Sequence, residues 1–426
     1  MVKQPKKPRS KSVRRTDKKM PPKPQVEEKK IKVMFLSEMC VLDKKSGAAI
    51  EMNAWLDLLQ KSGFSCSSVT MSLFDGQEEY PFRKEVAPKI DPQEHIGKRL
   101  RVHRDGVEHN IVITGSSIGK NLKKEQIAGF LKSAREDIER IRPDVVIGYG
   151  SANLNPLRRV VRSLGGRPVF YLANGSYDEK KRACFEEVDE IIVPSAALQE
   201  FYKDTLGLTS TVEPNLVEQY IDPDTFSVEK KTAERGQGFI TLINPDPLKG
   251  GLIFLQIAQL ALREAPELTF LAVESRGTRE MWEKAGLNIG ALSNIWWIPK
   301  QKEIRRVFDR TSVLLVPSIW FEAAGRVVPE AQLCGIPVLA NRRGGLPSQL
   351  NGAGYLFDIP ERLQEKPTVV PTFDEVRPWL ETIRNLMDNT DVYKASSEKA
   401  LECSEPFRPD VRHRQIVDLF NRLAAQ

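Results

Sequence analysis

PSIWFEAAGRVVPEAQLCGIPVLANRRGGLPSQL, residues 317–350, decides how the rest of the chain is read. VLLVPS, ending near Ser318, predicts a strand; Glu322-Ala323-Ala324-Gly325 is a loop of small residues, and a short helix opens near Arg326. A strand that runs through such a loop into a helix N-terminus makes an anion site. Unpaired backbone N–H groups and the helix dipole point at whatever sits there. Glu322 and Glu330 bracket the loop with seven residues between them. A phosphate repels carboxylates, so these two suit hydroxyl groups, which donate to them in charged hydrogen bonds. Phosphate plus several hydroxyls describes a nucleotide-sugar. The plainer alternative is a strand–helix unit of an α/β domain carrying two solvated glutamates.

Working outward, AQLCG continues the helix, and IPVLA followed by Gly344-Gly345 reads as the next strand. Upstream, a strand at 31–38, a loop with Ser46-Gly47-Ala48-Ala49 and a helix at 50–61 make a first strand–loop–helix unit. Strands follow at 65–73, 143–150, 168–174 and 190–195, with helices at 124–140, at 156–164 and through Tyr202. Residues 75–110 read as an irregular, Pro- and charge-rich insertion facing an acceptor, with Asp105-Gly106 as a surface hairpin turn. The alternation resumes with strands at 238–245, 268–275, 295–299 and 312–318 and helices at 251–264, 278–285 and 301–309. Residues 371–389 predict an amphipathic helix with Val376, Leu380, Ile383 and Leu386 or Met387 on its apolar side. The expected fold is α/β, with two Rossmann-like doubly wound domains facing a cleft. The expected divisions are a tail at 1–30, domains at 31–213 and 214–408, and a last helix at 409–426.

The Glu322-x7-Glu330 pattern resembles the signature of the retaining glycosyltransferases of family four, the glycosyl transferases group 1, which have the GT-B fold. The resemblance covers roughly residues 31–426 and is more specific in the second domain. It implies that Glu322 holds hydroxyls of a donor sugar, that Glu330 holds the ribose, and that the loop amides around Gly325, Arg326 and Val327 hold the diphosphate. It also implies that the loop at Gly47 lies under that diphosphate. Residues 212–223, VEPNLVEQYIDP, resemble the segment that connects the family's two domains, and the last helix is implied to cross back onto the first.

Lys249 lies in INPDPLKGG beside Gly250. A departing nucleoside diphosphate needs positive charge, and a lysine on this loop supplies it. The family places an Arg five residues earlier; this chain has Asn244 there, and Arg326 is the candidate replacement. At the end of strand 168–174 much of the family has a His where this chain has Ala173, followed by Asn174, which offers either a site hydrogen bond or a plain turn. Glu274 and Arg276, in VESRG, either face the donor or pair locally. For Trp296 and Trp297, core packing is the expectation for at least one.

The chain has 426 residues, enough for two domains, and no apolar run of membrane-spanning length. Five scattered cysteines show no metal-type spacing, and a reduced, cytoplasmic compartment is expected; of the four histidines, His95, His103 and His109 lie in one stretch, where a surface hairpin is the reading over a metal site. No metal site is expected, and no cofactor beyond the NDP-sugar donor itself. The partners are that donor and a carbohydrate or other hydroxyl acceptor. Residues 1–30 carry nine Lys and three Arg against one Asp and two Glu, a surplus of +9 that leaves the rest of the chain at −2 within the formal +7. Such a Pro-rich tail reads as disordered, either a solubilising extension or a tether to an anionic membrane face or polyanion. Two rivals stand beside the transferase reading: a nucleotide-sugar-binding pseudoenzyme or scaffold, and a transferase acting on a polyanion such as DNA.

Overall fold

Uninterrupted apolar runs such as KVMFL and TSVLLV form strands buried on both faces, and these lie in two sheets. The computed structural model describes residues 30–76, 78–214, 216, 227–301 and 303–426. The basic tail up to residue 29 and most of the 212–223 passage fall outside them.

The first sheet holds β1 (Lys32–Leu36), β2 (Ser65–Met71), β3 (Arg99–Arg104), β4 (Val107–Val112), β5 (Val145–Gly148), β6 (Arg167–Tyr171), β7 (Glu190–Val193) and β8 (Thr211–Val212). Their order is β3-β4-β2-β1-β5-β6-β7-β8, parallel except where β3 runs antiparallel to β4. Phe35 of β1 is in register with Ser68 on one side and Ile147 on the other. The second sheet holds β9 (Phe239–Ile243), β10 (Phe270–Val273), β11 (Ile295–Ile298), β12 (Thr311–Val316), β13 (Val338–Asn341) and β14 (Tyr355–Phe357), all parallel, in the order β11-β10-β9-β12-β13-β14. Strand order reverses on either side of β9. In open α/β sheets the crevice beyond the carboxyl ends at such a reversal is where ligands bind.

The Pro409–Ala425 helix crosses back onto the first domain, as expected. Its Ile416, Leu419, Phe420 and Leu423 join the cluster around Trp55, whose ring meets Phe420 edge-on at 6.0 Å. Each such side chain contributes roughly 1.5–3 kcal/mol when fully buried. In the second domain the Phe373–Asp388 helix starts at a capping box, Thr372 with Glu375, and buries Val376, Trp379, Leu380, Ile383 and Leu386.

Three expectations are corrected. The stretch 75–110 is not wholly irregular, because β3 and β4 extend the first sheet, joined through Asp105 and Gly106 at φ 50° and 85°. The alternation RVHRDGVEHNIV was a strand signal that its charges obscured. The hairpin turn expected at Asp105-Gly106 is there and exposed, but His109 beyond it is fully buried on β4, its Nδ1 2.9 Å from Ser68 Oγ. The helix expected at 301–309 is only Arg305–Phe308. No described helix is long and apolar enough to cross a membrane.

Candidate active site

Two loops leave the carboxyl ends of β9 and β12 side by side. The β9 loop turns through Asn244, whose φ of 61° is a left-handed conformation that Asn tolerates. Its Oδ1 accepts from Arg276 N at 2.9 Å and Gly277 N at 3.0 Å, so this side chain braces the neighbouring turn. Asp246 Oδ1 then accepts from Leu248 N at 2.9 Å, and Gly250, at φ 78°, starts the Gly251–Glu264 helix. A Cβ on Gly250 would lie 2.0 Å from Pro317 O, which is why the two loops approach so closely only with glycine there.

The β12 loop carries Ser318, Trp320, Glu322 and Gly325 into the short Val327–Gln332 helix, with Arg326 at its N-cap. Glu322 is 8% exposed, and its Oε1 accepts from Ser318 Oγ at 2.6 Å and Lys249 Nζ at 2.5 Å. Gly345 N donates to Glu322 O at 2.6 Å, and a Cβ on Gly344 would sit 2.2 Å from the same oxygen. From the first domain, Ser195 Oγ donates to Ala323 O, and the Phe201 and Phe321 rings lie 5.1 Å apart.

Together these loops and the first domain enclose a cleft of about 580 Å³. Its first-domain wall includes Gly47, Asp75, Tyr171, Ala173 and Asn174. Its second-domain wall includes Asn244, Lys249, Arg276, Trp320, Glu322, Gly325, Arg326 and Val327. Most of the sequence candidates thus meet in one place.

Three do not line it. Gly250 supports the loop from behind. Glu274 Oε1 accepts from Arg279 N at 2.8 Å, so its carboxylate serves a helix start, a local role other than the ion pair weighed from the sequence. Glu330 lies behind Arg326, with Oε1 3.7 Å from Arg326 Nη2. Asn174 lines the cleft, but its Oδ1 already accepts from Ser176 N at 3.0 Å and Ser176 Oγ at 2.5 Å, the turn reading. Trp296 and Trp297 are absent from the cleft wall; Trp297 packs against the second-domain core, while Trp296 is 61% exposed at the sheet edge.

Sequence reasoning missed three partners. Asp75 Oδ2 meets Arg276 Nη2 at 2.7 Å, joining the two domains across the cleft. Glu51 is 0% exposed on the Gly47–Lys61 helix; its Oε1 accepts from Trp55 Nε1 and Leu216 N, both at 2.6 Å, and its Oε2 lies 3.9 Å from Arg326 Nη1. A carboxylate among Ala49, Met52, Trp55 and Leu56 on a buried face was the available signal. Trp320 stood in plain view, in the loop that decided the fold.

Residues 246–366, from the Lys249 loop through the Glu330 helix and beyond, match the family described as glycosyl transferases group 1. The chain resembles that family. A stretch of 128 residues is 34% identical to the D-inositol 3-phosphate glycosyltransferase of Segniliparus rotundus, covering 28% of each protein. The matched stretches span 28% and 35% of the lengths of the curated relatives concerned. Among solved structures, a glycosyltransferase from Rickettsia africae superposes with a TM-score of 0.68 at 16% identity, over 93% of this chain and 99% of that one. HepE of Anabaena, solved with UDP and glucose, gives 0.62 at 16% identity, over 92% and 100%. These likenesses establish the GT-B fold.

Proposed function

We propose that this chain is a retaining glycosyltransferase that moves a sugar from a nucleoside diphosphate donor to a hydroxyl acceptor. The observation that carries the reading is the 2.5 Å contact between Lys249 Nζ and Glu322 Oε1, on the cleft wall beside Gly325 and Arg326. One cation and one carboxylate there suit the two halves of a sugar diphosphate, the leaving phosphate and the sugar hydroxyls. The group 1 match across 246–366 supports the same reading, as does HepE's complex with UDP and glucose.

In the proposed reaction the diphosphate draws Lys249 away from Glu322, and Glu322 accepts hydrogen bonds from the sugar. Loop amides at Gly325, Arg326 and Val327 hold the phosphate oxygens. The bond from the anomeric carbon to phosphate oxygen breaks, and the acceptor oxygen bonds to that carbon on the same face. Its proton passes to the departing phosphate oxygen. The NDP-sugar is a co-substrate, no further cofactor or metal takes part, and the reaction belongs to glycan biosynthesis in the cytoplasm. The test is a binding screen of UDP-, GDP- and ADP-sugars followed by release of NDP from the best binder. Failure of every nucleotide-sugar to bind overturns the reading.

A second reading, binding without turnover, is favoured by one pair of observations. On the family resemblance Ala173 stands where a His is usual, and Asn174 Oδ1 is already engaged by Ser176. Donor binding with no NDP release over a broad acceptor panel would select it. The tail at 1–30, with its +9 surplus, is proposed as an electrostatic tether to an anionic membrane face. Unchanged sedimentation with anionic vesicles after its removal would sink that idea.

A further inference from the structure

Among the described residues, the large apolar side chains standing most in solvent are Ile96, Leu248, Trp296, Trp320 and Val370. Two of these, Leu248 at 39% and Trp320 at 44% exposure, lie together on the cleft wall. They are not loosely placed. Ile319 N and Trp320 N both donate to Leu248 O at 2.9 Å. Leu248 N is held by Asp246 Oδ1 at 2.9 Å, and Arg343 Nε holds Ile319 O at 3.1 Å. The fold therefore fixes the backbone of an apolar pair while leaving its side chains in water. A preorganised apolar surface inside a cleft is what binding requires, since less freedom is lost when the ligand arrives.

We propose that Trp320 and Leu248 form the platform on which the acceptor lies, and that the acceptor presents a pyranose ring there. This rests on the transferase reading above. Trp320 precedes the sugar-holding Glu322 by two residues and Leu248 adjoins Lys249, so the platform borders the reacting sugar. One face of a pyranose is a patch of C–H bonds bearing partial positive charge, which meets the negative face of an indole ring. Its equatorial hydroxyls extend beyond the ring. Asp75 and Ser176 from the first domain and Arg276 from the second line the same cleft, and the Asp75–Arg276 pair and the Ser176 hydroxyl bring acceptors and donors to that polar rim. A long aliphatic acceptor would have no use for those charged groups.

The test uses the full chain and saturation-transfer NMR with three methyl glycosides, of glucose, galactose and mannose, at millimolar concentration in the presence of UDP. Ring C–H signals of at least one glycoside should appear with the wild type, fall at least fivefold in Trp320→Ala, and persist in Trp320→Phe. Leu248→Gln, on an exposed position, should weaken them by a smaller factor. No signal from any glycoside with the wild type, or equal signals in Trp320→Ala, overturns the proposal. A tenfold loss of UDP affinity in Trp320→Ala, measured by calorimetry, also overturns it by assigning the indole to the nucleobase. Trp320-dependent glycoside binding in a chain that binds no nucleotide-sugar would uphold the platform and sink the donor reading instead.

Discussion

Lys249 Nζ and Glu322 Oε1 are 2.5 Å apart although 73 residues separate them, and each comes from a loop at the carboxyl end of its own strand. The pairing holds both side chains at the cleft wall, and under the proposed reaction each exchanges the other for one half of the donor. Lys249→Ala should lower NDP release by two or more orders of magnitude, corresponding to roughly 3–4 kcal/mol for one strong preorganised charge. The melting temperature should stay within a few degrees, because the lysine is about a third exposed. Near-normal turnover in this variant would hand the leaving-group role to Arg326.

The two glutamates should separate by phenotype. Glu330 stands behind Arg326 and off the cleft wall, so Glu330→Ala tests the ribose role that the family resemblance implies: if the carboxylate reaches the ribose, binding of the bare nucleotide should weaken by roughly 1.5–3 kcal/mol, the range for a charged hydrogen bond. Glu322→Ala should reduce turnover more than nucleotide affinity. Calorimetry with UDP, GDP and ADP checks both, and equal nucleotide affinity in wild type and Glu330→Ala removes the ribose assignment.

His109 makes stability depend on pH. Burial pushes its pKa down from 6.5 to about 4, with Arg104 and His103 adding like charge. Between those values the unfolded chain binds a proton that the folded chain refuses, so stability is lost as pH falls from about 6.5 towards 4. The full effect is about 3 kcal/mol. Denaturation midpoints at pH 7 and pH 5 should lie closer together in His109→Asn than in wild type, and an unchanged difference would show that other groups control this window.

Gly250→Ala combines a φ of 78° with a Cβ 2.0 Å from Pro317 O. The backbone conformation alone costs roughly 1–2 kcal/mol, and the overlap adds to it. The variant should unfold at lower denaturant and bind donor more weakly, because Pro317 begins the loop that carries Glu322. Full stability in urea titration would mean that the two loops part without penalty.

The sequence made the second domain legible because its strands are apolar runs and the loop carrying Glu322 lies on one continuous stretch, although Lys249 reaches it from 73 residues away. TSVLLV, the small-residue loop and the Glu spacing all sit within a few turns of chain. The first domain was less legible. β4 carries Glu108, His109 and Asn110 where an apolar run was sought, and the burial of His109 depends on Ser68, 41 residues away. Glu51 and Asp75 were missed for the same reason. Their partners, Arg326 and Arg276, belong to the other domain, and no local pattern records a contact of that range.

Ser195 and Phe201 hold Ala323 and Phe321 from the opposite domain, and this limits how the protein can be recombined. The segment carrying Glu322 is supported partly by residues that a cut near residue 213 would leave behind. A chimera that grafts the second domain onto a foreign first domain would strand the Phe321 ring in water and free the Ala323 carbonyl. Donor preference in such hybrids would then drift with the choice of host. Transplanting it faithfully requires carrying residues 195–201 along with the graft.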